Sequence, residues 1–241
     1  MTLLEICVDT ADGLAAAVEG GADRIELCSA LSVGGLTPPA SLIALAAAAP
    51  VPVAAMVRPR DGDFRYSAGE LAQMRADIAA TRDAGLAGVV IGANHADGSL
   101  DTDALAGLIE AAGPLETVLH RAFDLTPDPA AALEQAIALG FTRVLTSGTA
   151  PTVVEGAELI AALVAQASGR ITIMAGGGLT PENAAALVRR TGVREVHASA
   201  GAPLRDYPPS VIRFGFAGQA TLCATDAAIV RALKAALAEV P

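Results

Sequence analysis

The residues of this chain whose chemistry stands out lie in two short apolar segments near the N-terminus. Glu5 and Cys7 occupy alternate positions in the first segment, and Glu26 and Cys28 occupy alternate positions in the second. Side chains alternate between the two faces of a strand, so each carboxylate shares a face with its thiol. In neighbouring strands of equal register, Glu5 would lie beside Glu26 and Cys7 beside Cys28. Two adjacent thiols suit a soft ion such as Cu(I), whereas carboxylates suit harder ions.

The same groups also allow other interpretations. Two close carboxylates raise the pKa of one member and create a general acid, but Arg24 and Arg58 would neutralise them in a structural network. Cys7 and Cys28 would equally serve as small core residues, because free cysteine is among the most buried residue types. Met56, on the third predicted strand, would add a thioether to a metal site.

A second candidate group follows the fifth predicted strand. His120 ends that strand, where a histidine that titrates near neutrality can move protons. Asp124 lies four residues later and would orient the imidazole. The alternative is a hydrogen-bonded structural histidine. His197, on the eighth predicted strand, is the second histidine candidate. Glu5, Glu26, His120 and Asp124 therefore form the predicted acid–base set.

Glycines and hydroxyl groups follow the later strands. In (β/α)8 barrels, the loops after strands seven and eight often bind phosphate through backbone N–H groups. Glycine allows the close approach that such binding needs, although it equally serves a tight turn. The residues predicted to bind an anionic small molecule are Arg58, Ser147, Gly176, Gly177, Gly178 and Ser199.

About eight strand–helix units position these groups. Their number and spacing predict an α/β fold, a (β/α)8 TIM barrel, as a single domain over residues 1–241. A doubly wound sheet is less favoured, because no Gly-x-Gly-x-x-Gly turn follows an early strand. Thr37 and Pro38 are predicted to open the second helix, as N-cap and first residue. The predicted strands span 3–8, 24–28, 51–57, 88–91, 117–120, 143–146, 171–175 and 194–198, and an irregular stretch at 201–224 precedes the last helix.

Composition narrows the classes of partner. The 241 residues carry a net charge of −10, which argues against nucleic acid as a partner. No apolar run approaches the roughly 18 residues of a membrane span, and the N-terminus has no signal-peptide pattern. Three cysteines are too few for a disulfide scaffold, so they predict reduced thiols in a cytoplasmic protein.

Several segments resemble the CutC family. The similar region runs from about residue 3 to residue 199, which is most of the chain. It leaves Cys223 outside, so that cysteine receives no role. The segments that carry the resemblance are LEIC (4–7), GADRIELC (21–28), GGLTP (34–38), RPRDGDF (58–64), HRAFD (120–124), RVLTSG (143–148) and MAGGG (174–178).

The resemblance implies a (β/α)8 barrel, a cytoplasmic location and a homo-oligomer, as dimer or tetramer. It also implies a role in copper homeostasis, with Cu(I) bound by the residues that correspond to Cys7 and Cys28. Two hypotheses therefore stand beside each other. The first is a Cu(I)-binding protein. The second is an enzyme whose acid–base groups act on a small phosphorylated or carboxylated substrate.

Overall fold

Eight parallel strands close into a barrel in the structure, a computed structural model that describes residues 2–240. The predicted (β/α)8 barrel is confirmed, and strand order follows chain order from β1 to β8. The barrel strands are β1 (Leu3–Val8), β2 (Arg24–Leu27), β3 (Val53–Met56), β4 (Gly88–Ile91), β5 (Glu116–Leu119), β6 (Arg143–Thr146), β7 (Thr172–Gly176) and β8 (Glu195–Ala198).

Helices alternate with the strands around the outside of the barrel, as in other barrels of this class. None of those within residues 2–240 combines the length and hydrophobicity that a membrane crossing requires. The helices are α1 (Ala11–Gly20), α2 (Ala40–Ala46), α3 (Ala68–Asp83), α4 (Thr102–Ala112), α5 (Pro129–Leu139), α6 (Ala157–Ala167), α7 (Pro181–Thr191), α8 (Pro209–Arg213) and α9 (Ala227–Ala238), with 3₁₀ helices at Leu31–Val33 and Arg121–Leu125.

Side-chain alternation divides the buried residues into two layers. The outward residues of β1, which are Leu4, Ile6 and Val8, join the large apolar cluster between strands and helices. A smaller cluster fills the barrel interior and consists of Cys28, Ala54, Met56, Val90, Val118, Leu145 and Met174. The polar side chains of β1 and β2 alternate with the outward apolar residues and therefore lie inside the barrel.

The expected register of the first two strands is wrong. Glu5 pairs with Arg24 and Cys7 pairs with Glu26, so β2 is shifted by two residues from the equal-register expectation. A closed barrel needs such a stagger between strands, because the strands tilt against the barrel axis. Cys28 therefore lies beyond the end of the pairing, where its N–H donates to the carbonyl of Val8 at 2.8 Å.

The expected start of the second helix is also wrong. Pro39 is the N-cap and α2 begins at Ala40. The Thr37 hydroxyl accepts from the N–H of Arg58 at 3.0 Å and lies 3.4 Å from Asp77, so it joins the loop after β3 to α3. The Thr37 hydroxyl is thus used in contacts with residues distant in sequence, and it does not cap α2.

The stretch at 201–224, predicted to be irregular, has regular structure. Strands β9 (Gly201–Asp206) and β10 (Thr221–Thr225) pair antiparallel, and α8 lies between them. We call residues 201–225 the hairpin arm. Its exposed apolar side chains are Leu204, Ile212, Phe214 and Phe216.

Candidate functional site

Charged side chains from β1, β2 and β8 meet inside the barrel. Glu5 is completely buried and accepts hydrogen bonds from Arg24 Nε and, at 2.8 Å, from His197 Nδ1. Arg24 Nη2 extends the group to Glu195 at 2.5 Å and to Met174 Sδ at 3.2 Å. Each charge therefore has an opposite charge in direct contact, which a buried ion requires.

These contacts set the charge of Glu5 and His197. Burial alone would raise the pKa of Glu5, but the hydrogen bond and charge of His197, with those of Arg24, lower it to about 2. Burial would lower the pKa of His197, yet its contacts with Cys7, Glu26 and Glu5 raise it well above its ordinary value. The pair is therefore an ion pair at neutral pH.

Glu26 lies above this pair, toward the mouth of the barrel. Its Oε2 is 3.4 Å from Cys28 Sγ and 3.8 Å from His197 Nε2, and its Oε1 has no hydrogen-bond partner. Burial raises the pKa of Glu26, and the nearby charge of Glu5 adds to that effect. Glu5 and Glu26 are thus near each other as expected, but His197 lies between them and reduces the repulsion of their charges.

The two cysteines predicted to bind a metal, Cys7 on β1 and Cys28 directly after β2, have different neighbours. Donor atoms of Cys7, Glu26 and His197 all lie within 4.8 Å of one another, and Cys28 is not a member of that set. Cys7 Sγ also lies 3.7 Å from the carbonyl of Ala198. Burial beside Glu26 raises the pKa of the Cys28 thiol well above its ordinary value. Both cysteines are free.

Arg58 does not neutralise Glu5 or Glu26, which was one predicted alternative. Its guanidinium donates to the carbonyls of Val33, Gly35 and Gly62 at 2.7 to 3.0 Å and lies 5.0 Å from the Phe64 ring centroid. Arg58 thus holds two loops together at the mouth. Arg24 provides the predicted neutralisation by direct contact with Glu5, and it acts on Glu26 through its charge without a hydrogen bond.

His120 and Asp124 do not form the predicted pair. His120 Nδ1 accepts from the N–H of Ala122 at 3.0 Å, and the ring packs against Phe64 at 4.7 Å. Asp124 instead accepts from Thr146 and Ser147, because the 3₁₀ helix at Arg121–Leu125 turns it toward β6.

The expected titration of His120 near neutrality is likewise wrong. Burial, reinforced by the charge of Arg58, lowers the pKa of His120 to about 3. The ring is neutral at physiological pH, and its Nε2 has no partner. His120 therefore agrees only in part with the alternative of a hydrogen-bonded structural histidine. Its Nδ1 has a hydrogen-bond partner and its Nε2 has none.

The remaining predicted anion-binding residues divide between two positions. Gly177, Gly178 and Ser199 line the mouth cavity, as does Arg58. Ser147 is fully buried and bonded to Asp124. A Cβ on Gly176 would lie 2.6 Å from Leu145, so that glycine serves close packing. Anion binding by this set stays a prediction.

A cavity of about 480 Å³ opens at the carboxyl ends of the strands, where (β/α)8 barrels place their sites. Cys7, Glu26, His197 and His120 all line it. Sequence reasoning ranked His197 second and missed Glu195. Both lie on the inward face of β8. Their spacing of two residues along the strand was the sequence pattern that could have indicated this shared face.

The comparison with protein families decides the identity. A model of the CutC family matches residues 2–202. The chain belongs to the CutC family. A CutC family protein of Caulobacter vibrioides is 54% identical over 235 residues, which cover 97% of this chain and 96% of the relative. A CutC family protein of Sinorhizobium medicae is 53% identical, over 98% of this chain and 96% of the relative.

A solved structure supports the CutC assignment. The putative copper homeostasis protein CutC of Streptococcus agalactiae is 36% identical, with a TM-score of 0.79 over 83% of this chain and 99% of that one. A phosphoribosyl anthranilate isomerase from Thermococcus kodakaraensis, at 19% identity and a TM-score of 0.62, shares the fold alone. The CutC family model ends at residue 202, whereas the alignment with the Caulobacter relative covers nearly the whole chain.

Proposed function

We propose that this CutC family member acts in copper homeostasis by binding Cu(I) at the mouth of the barrel through Cys7 and Cys28. The observation that carries the proposal is a pair of free, buried thiols at the carboxyl ends of neighbouring strands, with Cys7 on β1 and Cys28 directly after β2. Thiolates are the protein ligands that Cu(I) prefers. The description of the Streptococcus agalactiae relative as a putative copper homeostasis protein supports the same function.

The two-residue stagger makes the thiols diagonal neighbours. Diagonal positions on paired strands have Cα atoms roughly 7–8 Å apart, which long or flexible side chains can span. Sulfur atoms on short side chains meet only if both tilt toward the same point, and the mouth cavity reaches Cys7. A bound ion would therefore sit between β1 and β2, at the floor of that cavity.

A thioether is available beside Cys28. A Cβ placed on Gly35 would lie 2.9 Å from Cys28 Sγ and 3.6 Å from Met56 Cε, so both sulfur side chains lie against this glycine. Gly35 has a φ of +85°, a conformation that side-chain-bearing residues rarely adopt. Met56 is therefore the natural third ligand if Cu(I) takes more than two.

Binding must also displace a proton. The raised pKa of Cys28 keeps its thiol protonated at neutral pH. Only the thiolate binds metal, so the ion replaces the proton and its positive charge offsets the burial of the sulfur. The proposal therefore predicts a Cu(I) affinity that rises with pH.

Competition with a Cu(I) chelator under anaerobic, reducing conditions tests the proposal. Cys7→Ser and Cys28→Ser should each lower the affinity by more than about tenfold, since even outer-shell changes at metal sites cost 10–100-fold. Cys223→Ser is the matched control, because Cys223 is exposed and lies on the hairpin arm. Unchanged affinity in the Cys7/Cys28 double variant would refute the two-thiolate site.

A reducing, cytoplasmic compartment belongs to the same proposal. Cys7 and Cys28 bind Cu(I) only when reduced, and disulfides are rare in such compartments. The homo-oligomer remains a prediction, which the mass in solution by light scattering would test.

The second candidate is an enzyme, and the size of the mouth cavity favours it. About 480 Å³ lies within the usual range for small-molecule sites and exceeds the needs of one ion. Glu26 and His197 would supply acid–base groups, and Gly177, Gly178 and Ser199 would hold an anion. Thermal stabilisation across a panel of phosphorylated and carboxylated metabolites tests it, and a panel without any stabilising compound would count against it.

A further inference from the structure

Three different donor types converge on the floor of the mouth cavity. Cys7 Sγ, a Glu26 carboxylate oxygen and a His197 ring nitrogen lie within 4.8 Å of one another. They come from three different strands, β1, β2 and β8, and all three residues line the cavity. Rigid strands hold such a set more firmly than loops do.

One carboxylate oxygen of Glu26 lacks the partner that its burial requires. Glu26 is only 3% exposed, and its Oε1 has no hydrogen-bond donor. A buried carboxylate oxygen without a partner is costly, and such atoms call for a specific explanation. The cavity opens onto this residue, so a cation entering from the mouth would satisfy the oxygen.

The His197 ring has the orientation of a metal ligand, and a bound ion would replace the proton on its Nε2. Its Nδ1 bonds to Glu5 at 2.8 Å, which leaves Nε2 facing Glu26 at 3.8 Å. Histidines that bind metals almost always donate their other ring N–H to a carboxylate or carbonyl. Arg24 anchors Glu5 in turn, so the ring orientation is fixed through two further residues.

We propose that Cys7, Glu26 and His197 form a three-ligand site for Zn²⁺, with a fourth position open to the mouth cavity. Sulfur, nitrogen and oxygen donors together suit a borderline ion, and three protein ligands plus an open position are typical of zinc sites that bind a further ligand. Two anionic donors neutralise a divalent ion. This site goes beyond the proposed Cu(I) site and shares Cys7 with it.

The shared cysteine makes the two sites mutually exclusive, yet their other ligands differ. Cu(I) would use Cys28, with Met56 nearby, toward β2 and β3. Zn²⁺ would use Glu26 and His197, toward β8. Occupancy would then depend on which ion is in excess.

Anaerobic titration with Co²⁺, a spectroscopic substitute for Zn²⁺, tests the site in the full-length protein under reducing conditions. We expect a sulfur-to-cobalt charge-transfer band, the intense visible bands of four-coordinate Co²⁺, and loss of both on addition of Zn²⁺. Weak bands of six-coordinate Co²⁺ without a charge-transfer band would overturn the proposal.

Variants separate this site from the Cu(I) site. Glu26→Gln and His197→Asn should each weaken Co²⁺ binding at least about tenfold. Glu26→Gln preserves side-chain size and keeps the test valid if His197→Asn does not fold. Cys28→Ser should lose Cu(I) affinity but retain the Co²⁺ bands. His120→Asn is the control, because His120 lines the same cavity outside the donor set.

The outcomes for the two proposals are distinguishable. Loss of the Co²⁺ bands in Cys28→Ser, or full Co²⁺ affinity in both Glu26→Gln and His197→Asn, would refute the zinc site and leave the Cu(I) proposal intact. Unchanged Cu(I) affinity in Cys28→Ser, with the Co²⁺ bands present, would refute the Cu(I) proposal alone.

Discussion

Two histidines line the same cavity, and one is positively charged whereas the other is neutral. His197 and His120 are 9% and 3% exposed, so depth of burial does not distinguish them. The pKa of His197 is raised well above its ordinary value, whereas that of His120 is lowered to about 3. The comparison teaches that the partners of a buried imidazole decide its charge, because burial acts on both in the same direction.

The partners come from opposite sides of the barrel mouth. The side of β1, β2 and β8 presents Glu5, Glu26 and Cys7 to His197. The side of β3 and β5 presents Arg58 and Phe64 to His120. The side of β1, β2 and β8 carries acidic groups and is therefore suited to bind cations. The side of β3 and β5 lines the cavity with a neutral histidine and does not bind a proton there at neutral pH.

The largest effect on this comparison should come from Glu5→Gln. Loss of the carboxylate leaves Arg24 and His197 buried with one anion fewer, and breaking a buried ion pair typically costs about 3–5 kcal/mol. Urea unfolding of the metal-free protein at pH 7 measures that loss. Glu134→Gln is the control, since its ion pair with Arg170 is about half exposed and should contribute under about 1 kcal/mol.

The pH dependence of Glu5 follows from its depressed pKa. The stabilisation is present above the unfolded value of 4.5 and is lost as the pH falls toward the folded value of about 2. Glu5→Gln should remove the part of the stability loss at acidic pH that comes from protonation of Glu5. It should also lower the pKa of His197. A variant that unfolds at the same urea concentration as the wild type would contradict the ion-pair description.

His120→Asn should have an intermediate effect, on the other side of the mouth. Between about pH 4.5 and 5.5 the unfolded chain is almost fully protonated at His120 and the folded protein is not, because the unfolded pKa is 6.5 and the folded pKa is about 3. Stability should thus fall with falling pH by about 1.4 kcal/mol per unit from this group alone. Asparagine keeps the cap acceptor for Ala122 without titrating, so the variant should show a flatter profile.

Urea unfolding at several pH values in this window measures the slope in both proteins. His197 contributes almost no slope there, because both its folded and its unfolded states are protonated about one unit or more below the unfolded value of 6.5. Parallel profiles for wild type and variant would show that His120 is not held neutral by the fold.

Local sequence patterns were sufficient to predict the barrel, but they were not sufficient to predict the contacts within the site. Strand alternation placed Glu5 and Cys7 on one shared face of β1, and the number and spacing of the strand–helix units indicated the closed barrel. Such signals involve residues close together in the chain. They were enough to predict eight strand–helix units and the end of the barrel that carries the cavity.

Register and pairing between distant residues were not accessible in this way. The stagger that sets Cys7 beside Glu26 is a property of barrel closure, and no residue of β1 or β2 encodes it locally. The bond of Glu5 to His197 joins residues 192 positions apart. Conversely, the proximity of His120 and Asp124 in sequence suggested a pair, although a 3₁₀ turn points them at different partners.

The smallest effect on the charge states of the two histidines should come from Asp124→Asn, which tests directly whether Asp124 and His120 are separate. Asp124 accepts from Thr146, Ser147 and the N–H of Thr149, so the variant should lose about 1–3 kcal/mol of stability. His120 should not respond. Its Nδ1 accepts from Ala122, which fixes the neutral tautomer with the proton on Nε2. Nitrogen chemical shifts of ¹⁵N-labelled histidine should give that tautomer in both proteins, and a change would mean that Asp124 orients His120 after all.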